Sequence, residues 1–148
     1  MFVATLCATL AMSLIVMAAR RFFFLVRVQH GSMSPALEDG EIVLAVRCLS
    51  RSWVIPGRVV ILDPPLSTHL SYAIKRVVGV AGQTHELEND PDSIRTEAGR
   101  WVIPPGYCFV RGDNSAVSVD SRSWGPVPVG TVAGIVVFKL PASPGRGK

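Results

Sequence analysis

A serine in a tight turn and a lysine set among branched aliphatics are a pair that can cleave an amide bond. Ser32 lies in His30–Leu37 (His-Gly-Ser-Met-Ser-Pro-Ala-Leu), where Gly31 and Pro35 frame a turn straight after an apolar run. A serine hydroxyl is a weak nucleophile and needs a base to take its proton. Lys75 lies in Ala73–Val80 (Ala-Ile-Lys-Arg-Val-Val-Gly-Val), a strand-like stretch where an ammonium is costly. A lysine penalised in this way loses its proton more readily and can be that base. Ser-Lys pairs are a known variant of the Ser-His-Asp arrangement. A third block, Gly112–Gly125 (Gly-Asp-Asn-Ser-Ala-Val-Ser-Val-Asp-Ser-Arg-Ser-Trp-Gly), turns this suggestive pair into a recognisable set.

The elements that must position these residues are short. Phe22–Gln29 reads as a strand leading into the Ser32 turn, and Glu41–Arg47 as a buried strand after the Glu38-Asp39-Gly40 turn. Arg58–Leu62 follows the Pro56-Gly57 turn and stops at Pro64-Pro65. Tyr72–Val80 carries the lysine. Thr84–Arg100 is polar and acidic and reads as a surface excursion. Trp101–Ile103 and Tyr107–Val110 flank Pro104-Pro105-Gly106, and Thr131–Leu140 is the last strand. Many β-branched runs, 11 prolines and 13 glycines, without a long amphipathic pattern, predict an all-β domain. Among the 148 residues, 22–140 form this domain and 141–148 a loose tail.

Residues 1–21 stand apart. Phe2–Ala19 carries no charge, and as a helix it spans about 27 Å, enough for a hydrocarbon core. With no basic residue ahead of it and Arg20-Arg21 directly after, it reads as an uncleaved transmembrane anchor rather than a cleaved signal peptide. Arg20, Arg21 and Arg27 on its C-terminal side favour a cytoplasmic domain by the positive-inside rule.

The net charge of +4 comes from scattered basic residues, which fits an anionic lipid surface. No helix-turn-helix spacing or aromatic-basic interleaving points to nucleic acid. Cys7 falls in the anchor. Cys48 and Cys108 have neither a CxxC spacing nor a histidine partner, so no metal site is expected; spacing leaves open a disulfide if the domain is exported, and unpaired, partly buried thiols are the favoured reading. His69 and His85 lie in polar segments without an evident role.

Taken in order, the three blocks resemble the type I signal peptidase family, membrane-anchored serine proteases with a Ser-Lys dyad. Ser32-Met33-Ser34-Pro35-Ala36-Leu37 is similar to the family's Ser-Met-x-Pro-Thr-Leu, departing at Ala36. Lys75-Arg76-Val77-Val78-Gly79-Val80-Ala81-Gly82 is similar to Lys-Arg-(aliphatic)2-Gly-x-x-Gly. Gly112-Asp113-Asn114 with Ser118-Val119-Asp120-Ser121-Arg122-Ser123-Trp124-Gly125 is similar to the last box. The short stretch between Lys75 and Gly112 resembles minimal bacterial or organellar members that lack a second domain.

The resemblance implies a compact, partly open β-barrel-like catalytic domain behind one transmembrane helix, on the exoplasmic face of a bacterial plasma membrane or an organellar inner membrane. That face opposes the bias of Arg20 and Arg21. It implies Ser32 as nucleophile, Lys75 as general base, and the Ser32 amide as one oxyanion donor. Many members add a hydroxyl two residues before the nucleophile; here that position is His30. The resemblance further implies that Ser118 orients the lysine amine and that Asp120 and Arg122 form a supporting ion pair. Val26, Val28 and Ile74 would line shallow pockets for small side chains such as alanine. The implied partners are signal-peptide-bearing precursors and the bilayer, with no cofactor. Two other readings are a decayed, membrane-tethered binding protein on the same fold and a self-cleaving repressor-type Ser-Lys protease.

Overall fold

The computed structural model describes residues 2–63, 72–86 and 100–140. The chain opens with helix α1, Phe2–Phe22, which lacks the Gly and Pro that interrupt helices. Its window Thr5–Phe22 has a mean hydropathy of 1.4 and none of it is buried against protein, so by length and composition it can cross a membrane. The helix continues past the uncharged stretch through Arg20 and Arg21, because arginine is a good helix former and its charge suits the negative end of the helix dipole.

The remainder is mostly β. Strands β1 (Phe23–Arg27), β2 (Ile42–Arg47), β3 (Val59–Leu62), β4 (Ala73–Val80), β7 (Tyr107–Arg111), β8 (Val127–Pro128) and β9 (Val132–Lys139) form one seven-stranded sheet. Its order is β1-β2-β9-β3-β4-β7-β8, and every pairing is antiparallel. A separate two-stranded sheet joins β5 (Thr84–Glu86) to β6 (Arg100–Val102). The polar excursion expected over Thr84–Arg100 is therefore anchored at both ends by strand pairing, and His85 sits in β5 opposite Trp101. Residues 87–99 of that excursion, His69, the Pro64-Pro65 stop and the tail 141–148 lie outside the described residues.

The central strands bury residues on both faces, whereas the outward positions of β1 and the end of β9 are exposed. In β3 and β4, Val60 opposes Lys75 while Ile61 opposes Ile74, so successive residues alternate between faces. One face joins Val28, Met33, Leu37, Val43, Ala45, Ile61 and Ile74 into a buried cluster. The other buries Val60, Leu62, Val77, Cys108, Val110, Val132 and Ile135. Cys48 packs against this second cluster, and both thiols are free. Burial, with the neighbouring Cys48, pushes the Cys108 thiol up to about 11, so it is inert at neutral pH.

The sheet curls. Three strands separate β1 from β4 in sheet order, yet the Phe24 and Tyr72 rings lie 6.2 Å apart. The four successive antiparallel steps from β1 to β4 leave those two strands running in the same direction. Closure depends on Gly134, whose missing Cβ makes room for Phe24: a Cβ there would stand 2.6 Å from the ring and 2.8 Å from the Val46 carbonyl oxygen. The Gly134→Ala variant should therefore lose about 1–3 kcal/mol of stability, measured as a lower denaturant midpoint at unchanged slope. A neutral result would mean that the ring shifts freely and that the curl does not depend on this contact.

Candidate active site

Ser32 sits in a loop whose two ends are clasped together. The Val28 amide donates to the Glu41 carbonyl (2.7 Å) and the Gly40 amide to the Val28 carbonyl (2.9 Å). Inside the loop, the His30 amide donates to Asp39 Oδ1 at 2.9 Å. This fixes His30 at φ 66°, a left-handed conformation that side chains other than glycine adopt at some cost. Met33, 1% exposed, pins the loop into the core beside Val28 and Ile74. Ser34, the other serine of the turn, donates its hydroxyl to Glu38 Oε1 at 2.9 Å.

Lys75 comes from the middle of β4 and is only 5% exposed. Its Nζ donates to Ser118 Oγ at 2.9 Å, and Ser118 Oγ donates to Asp120 Oδ2 at 2.7 Å. Ser118 thus spends its one proton on the carboxylate and offers lone pairs to the lysine. Asp120 is fully buried and also accepts from the Gly112 amide (2.9 Å), the Arg122 amide (3.2 Å) and Arg122 Nε (2.9 Å). Arg122 in turn donates to the Ser115 and Ser118 carbonyls at 3.0 Å, tying both ends of that loop. Asp120 also caps α2 (Ser121–Trp124), and Ser121 beneath it accepts from the Val110 amide at 3.0 Å.

These contacts set the charge states. Burial lowers the pKa of Lys75; Asp120 opposes the shift and Arg122 adds to it. Burial alone pushes Asp120 up, but the bonds from Arg122, Gly112 and Ser118 outweigh it and hold the carboxyl below its ordinary range. The site therefore sets a lysine whose charged form is disfavoured by burial beside a carboxylate whose charged form is favoured.

Gly112 is where the two halves meet. A Cβ there would run into the Ser118 side chain and the Ser32 carbonyl oxygen, and the Asn114 amide donates to that same carbonyl at 3.0 Å. The loop carrying Ser32 is thus fastened to the loop that holds Lys75. Val26, Val28 and Ile74 share one apolar cluster next to Met33; Val28 and Ile74 are buried and Val26 half-buried.

Sequence reasoning assigned no role to Arg76 or Asp113, yet they form a bidentate pair at 2.8 and 2.6 Å. Arg76 also donates to the Gly57 carbonyl at 2.8 Å. The strand bearing Lys75 is thereby clamped to the Gly112–Asn114 segment and to the turn before β3. The signal was available, since Arg76 adjoins Lys75 and Asp113 adjoins Gly112, but pairing across such a separation is invisible in one dimension.

The buried amine has a measurable consequence for stability. A lysine whose pKa is lower in the folded than in the unfolded chain makes the unfolded chain bind more protons, so stability rises with pH through that interval. The Lys75→Met variant should be more stable than the parent at neutral pH, and the gap should close as pH approaches the range of free lysine. Denaturant midpoints at neutral and alkaline pH test this. A variant less stable than the parent at both would show that the amine is not penalised in the fold.

The family model described as "Signal peptidase, peptidase S26" matches residues 2–91 and 85–141. The mitochondrial ATP-independent inner membrane protease subunit 1b of Arabidopsis thaliana is 38% identical over 112 residues, 74% of this chain and 64% of the relative. The mitochondrial inner membrane protease subunit 1 of Mus musculus is 34% identical over 111 residues, again 74% and 64% of the two chains. The probable thylakoidal processing peptidase 2, chloroplastic, of Arabidopsis thaliana is 33% identical over 129 residues, 73% of this chain and 35% of the relative. The chain thus spans 64% of the length of the first two of these relatives and about a third of the third's. With the three sequence blocks gathered around Gly112 and the match running almost end to end, the chain belongs to the signal peptidase family, peptidase S26.

Proposed function

We propose that this chain is a membrane-tethered serine endopeptidase that removes signal or leader peptides from precursors, cutting after small residues with a Ser32–Lys75 dyad. The observation that carries the reading is the near-complete burial of Lys75 with its amine held by Ser118, beside the loop that bears Ser32. The names of the relatives, processing peptidases and inner membrane proteases, agree with it.

In the proposed reaction, neutral Lys75 takes the Ser32 proton as Oγ attacks the scissile carbonyl carbon. The ammonium so formed returns the proton to the leaving amine, which departs as the acyl-enzyme forms. Lys75 then takes a proton from water, whose oxygen attacks the acyl carbon, and the ammonium returns that proton to Ser32 Oγ as the acyl–Oγ bond breaks. The Ser32 amide stabilises the oxyanion at both stages. Ser118 accepts one amine N–H and so directs the lysine lone pair, while Asp120 and Arg122 hold Ser118 still. Val26, Val28 and Ile74 form the apolar surface that admits small side chains. With α1 in the bilayer, the domain from Phe22 onward works on the exoplasmic face, where precursors emerge, in spite of Arg20 and Arg21.

Ser32→Ala and Lys75→Ala should each cut precursor cleavage at least about a thousandfold, and the double variant should be scarcely worse than either, because the two residues act as a unit. The base works only when neutral, so the rate should rise with pH through a midpoint below that of free lysine, the direction in which burial moves Lys75. Lys75→Arg should be inactive, since guanidinium keeps its proton. The assay is cleavage of an alanine-containing precursor peptide in detergent. A rising limb that survives Lys75→Arg and vanishes in His30→Ala would transfer the base to histidine.

A further inference from the structure

The apolar row beside Ser32 extends beyond Val26, Val28 and Ile74. On β1 the inward positions recur every second residue, from Val28 through Val26 to Phe24. Just ahead of β4, two positions before Ile74, lies Tyr72, which meets the Phe24 ring at 6.2 Å and an interplanar angle of 45°. The Arg47 guanidinium lies over the Phe24 ring, 5.3 Å from its centroid. Because β1 and β4 run in the same direction, Phe24 and Tyr72 mark one end of this apolar row and Ser32 and Lys75 the other. Tyr72 is 46% exposed, so the wall it builds is open to an incoming chain.

Resting on the protease reading, we propose that Phe24 and Tyr72, backed by Arg47, form a third apolar subsite. It takes a large apolar or aromatic side chain of the precursor, on the same side of the cut as the small recognition residues. An extended substrate strand presents every second side chain to the same wall. Val28 and Val26 meet the residue before the cut and the one two places further away. The aromatic pair then meets the fifth residue before the cut, about 13 Å from the Val28 level at roughly 3.3 Å per residue. Its size is set by the rings, which make an end wall broad enough for leucine or phenylalanine. Its charge is set by Arg47, which repels a lysine or arginine there.

The test uses the full chain in detergent and alanine-containing precursor peptides that differ only at the fifth residue before the cut: leucine, phenylalanine, serine or lysine. The parent should favour leucine and phenylalanine over serine by about tenfold in kcat/KM, chiefly through KM, with lysine the poorest. Tyr72→Ala should bring the leucine-to-serine ratio close to one, and Tyr72→Phe, which keeps the ring, should preserve it. Val102→Ser, on the exposed β6, should change neither rate nor ratio. A parent with no preference, or a Tyr72→Ala variant with the parent's ratio, overturns the subsite while leaving the protease reading intact. Cleavage of the same peptides by Ser32→Ala would instead remove the protease reading itself.

Discussion

Asp120 is the fixed point of this structure. A fully buried carboxylate is stable only if its oxygens are satisfied, and here an arginine, two backbone amides and a serine hydroxyl satisfy them. Each of those donors belongs to something the site needs: Gly112 to the segment that touches Ser32, Ser118 to the lysine, and Arg122 to the 115–118 loop. Removing the carboxylate would take from the Gly112 amide its acceptor and from Arg122 its counter-charge, leaving the guanidinium with neutral carbonyls such as those of Ser115 and Ser118. The cost would fall on the geometry of all three at once, and for that reason a group far from bond-making governs the arrangement.

The lysine then inherits its environment from the sheet. Val60 lies directly across from it on β3, and the second core cluster packs along the same face. An ammonium there gains little from solvent, while Ser118 provides only a neutral oxygen. Burial is the largest influence on the amine; Asp120 opposes it and Arg122 adds to it, so the pKa moves down. A direct Lys-Asp contact would have favoured the ammonium and opposed the downward shift more strongly. The interposed hydroxyl keeps the carboxylate close enough to hold the network and too indirect to fix the proton on the amine.

Rigidity around Ser32 comes from a different source. The Ser32 loop is held by its own backbone clasp, by Asp39 on the His30 amide, and by Met33 in the core. The left-handed backbone at His30 is tolerated because the bond from its amide and the clasp on either side determine it jointly. The Arg76–Asp113 clamp adds a second, independent tie between β4 and the Gly112 segment. Two unrelated sets of contacts thus bring the serine loop and the lysine strand to the same place.

Much of this was legible in one dimension because it is local. An uncharged run becomes a helix that can enter a bilayer, runs of β-branched residues become strands, and Pro-Gly turns separate them. Ser32, Lys75, Ser118, Asp120 and Arg122 carry motifs that identify them before any fold is known. The Asp120–Arg122 pair is two residues apart and needs no tertiary information. What the chain's order could not reveal depends on distant segments meeting. The curl that brings Tyr72 onto Phe24 needs a glycine at 134, far from both. The pairing of Arg76 with Asp113 follows from the β4–β7 register. The anchoring of the polar excursion by β5 and β6 arises from hydrogen bonds between two three-residue strands whose composition barely marks them as such. Residue type and spacing determined which groups can do chemistry. Sheet register and close packing decided which of them meet, because those depend on contacts between residues that the sequence separates.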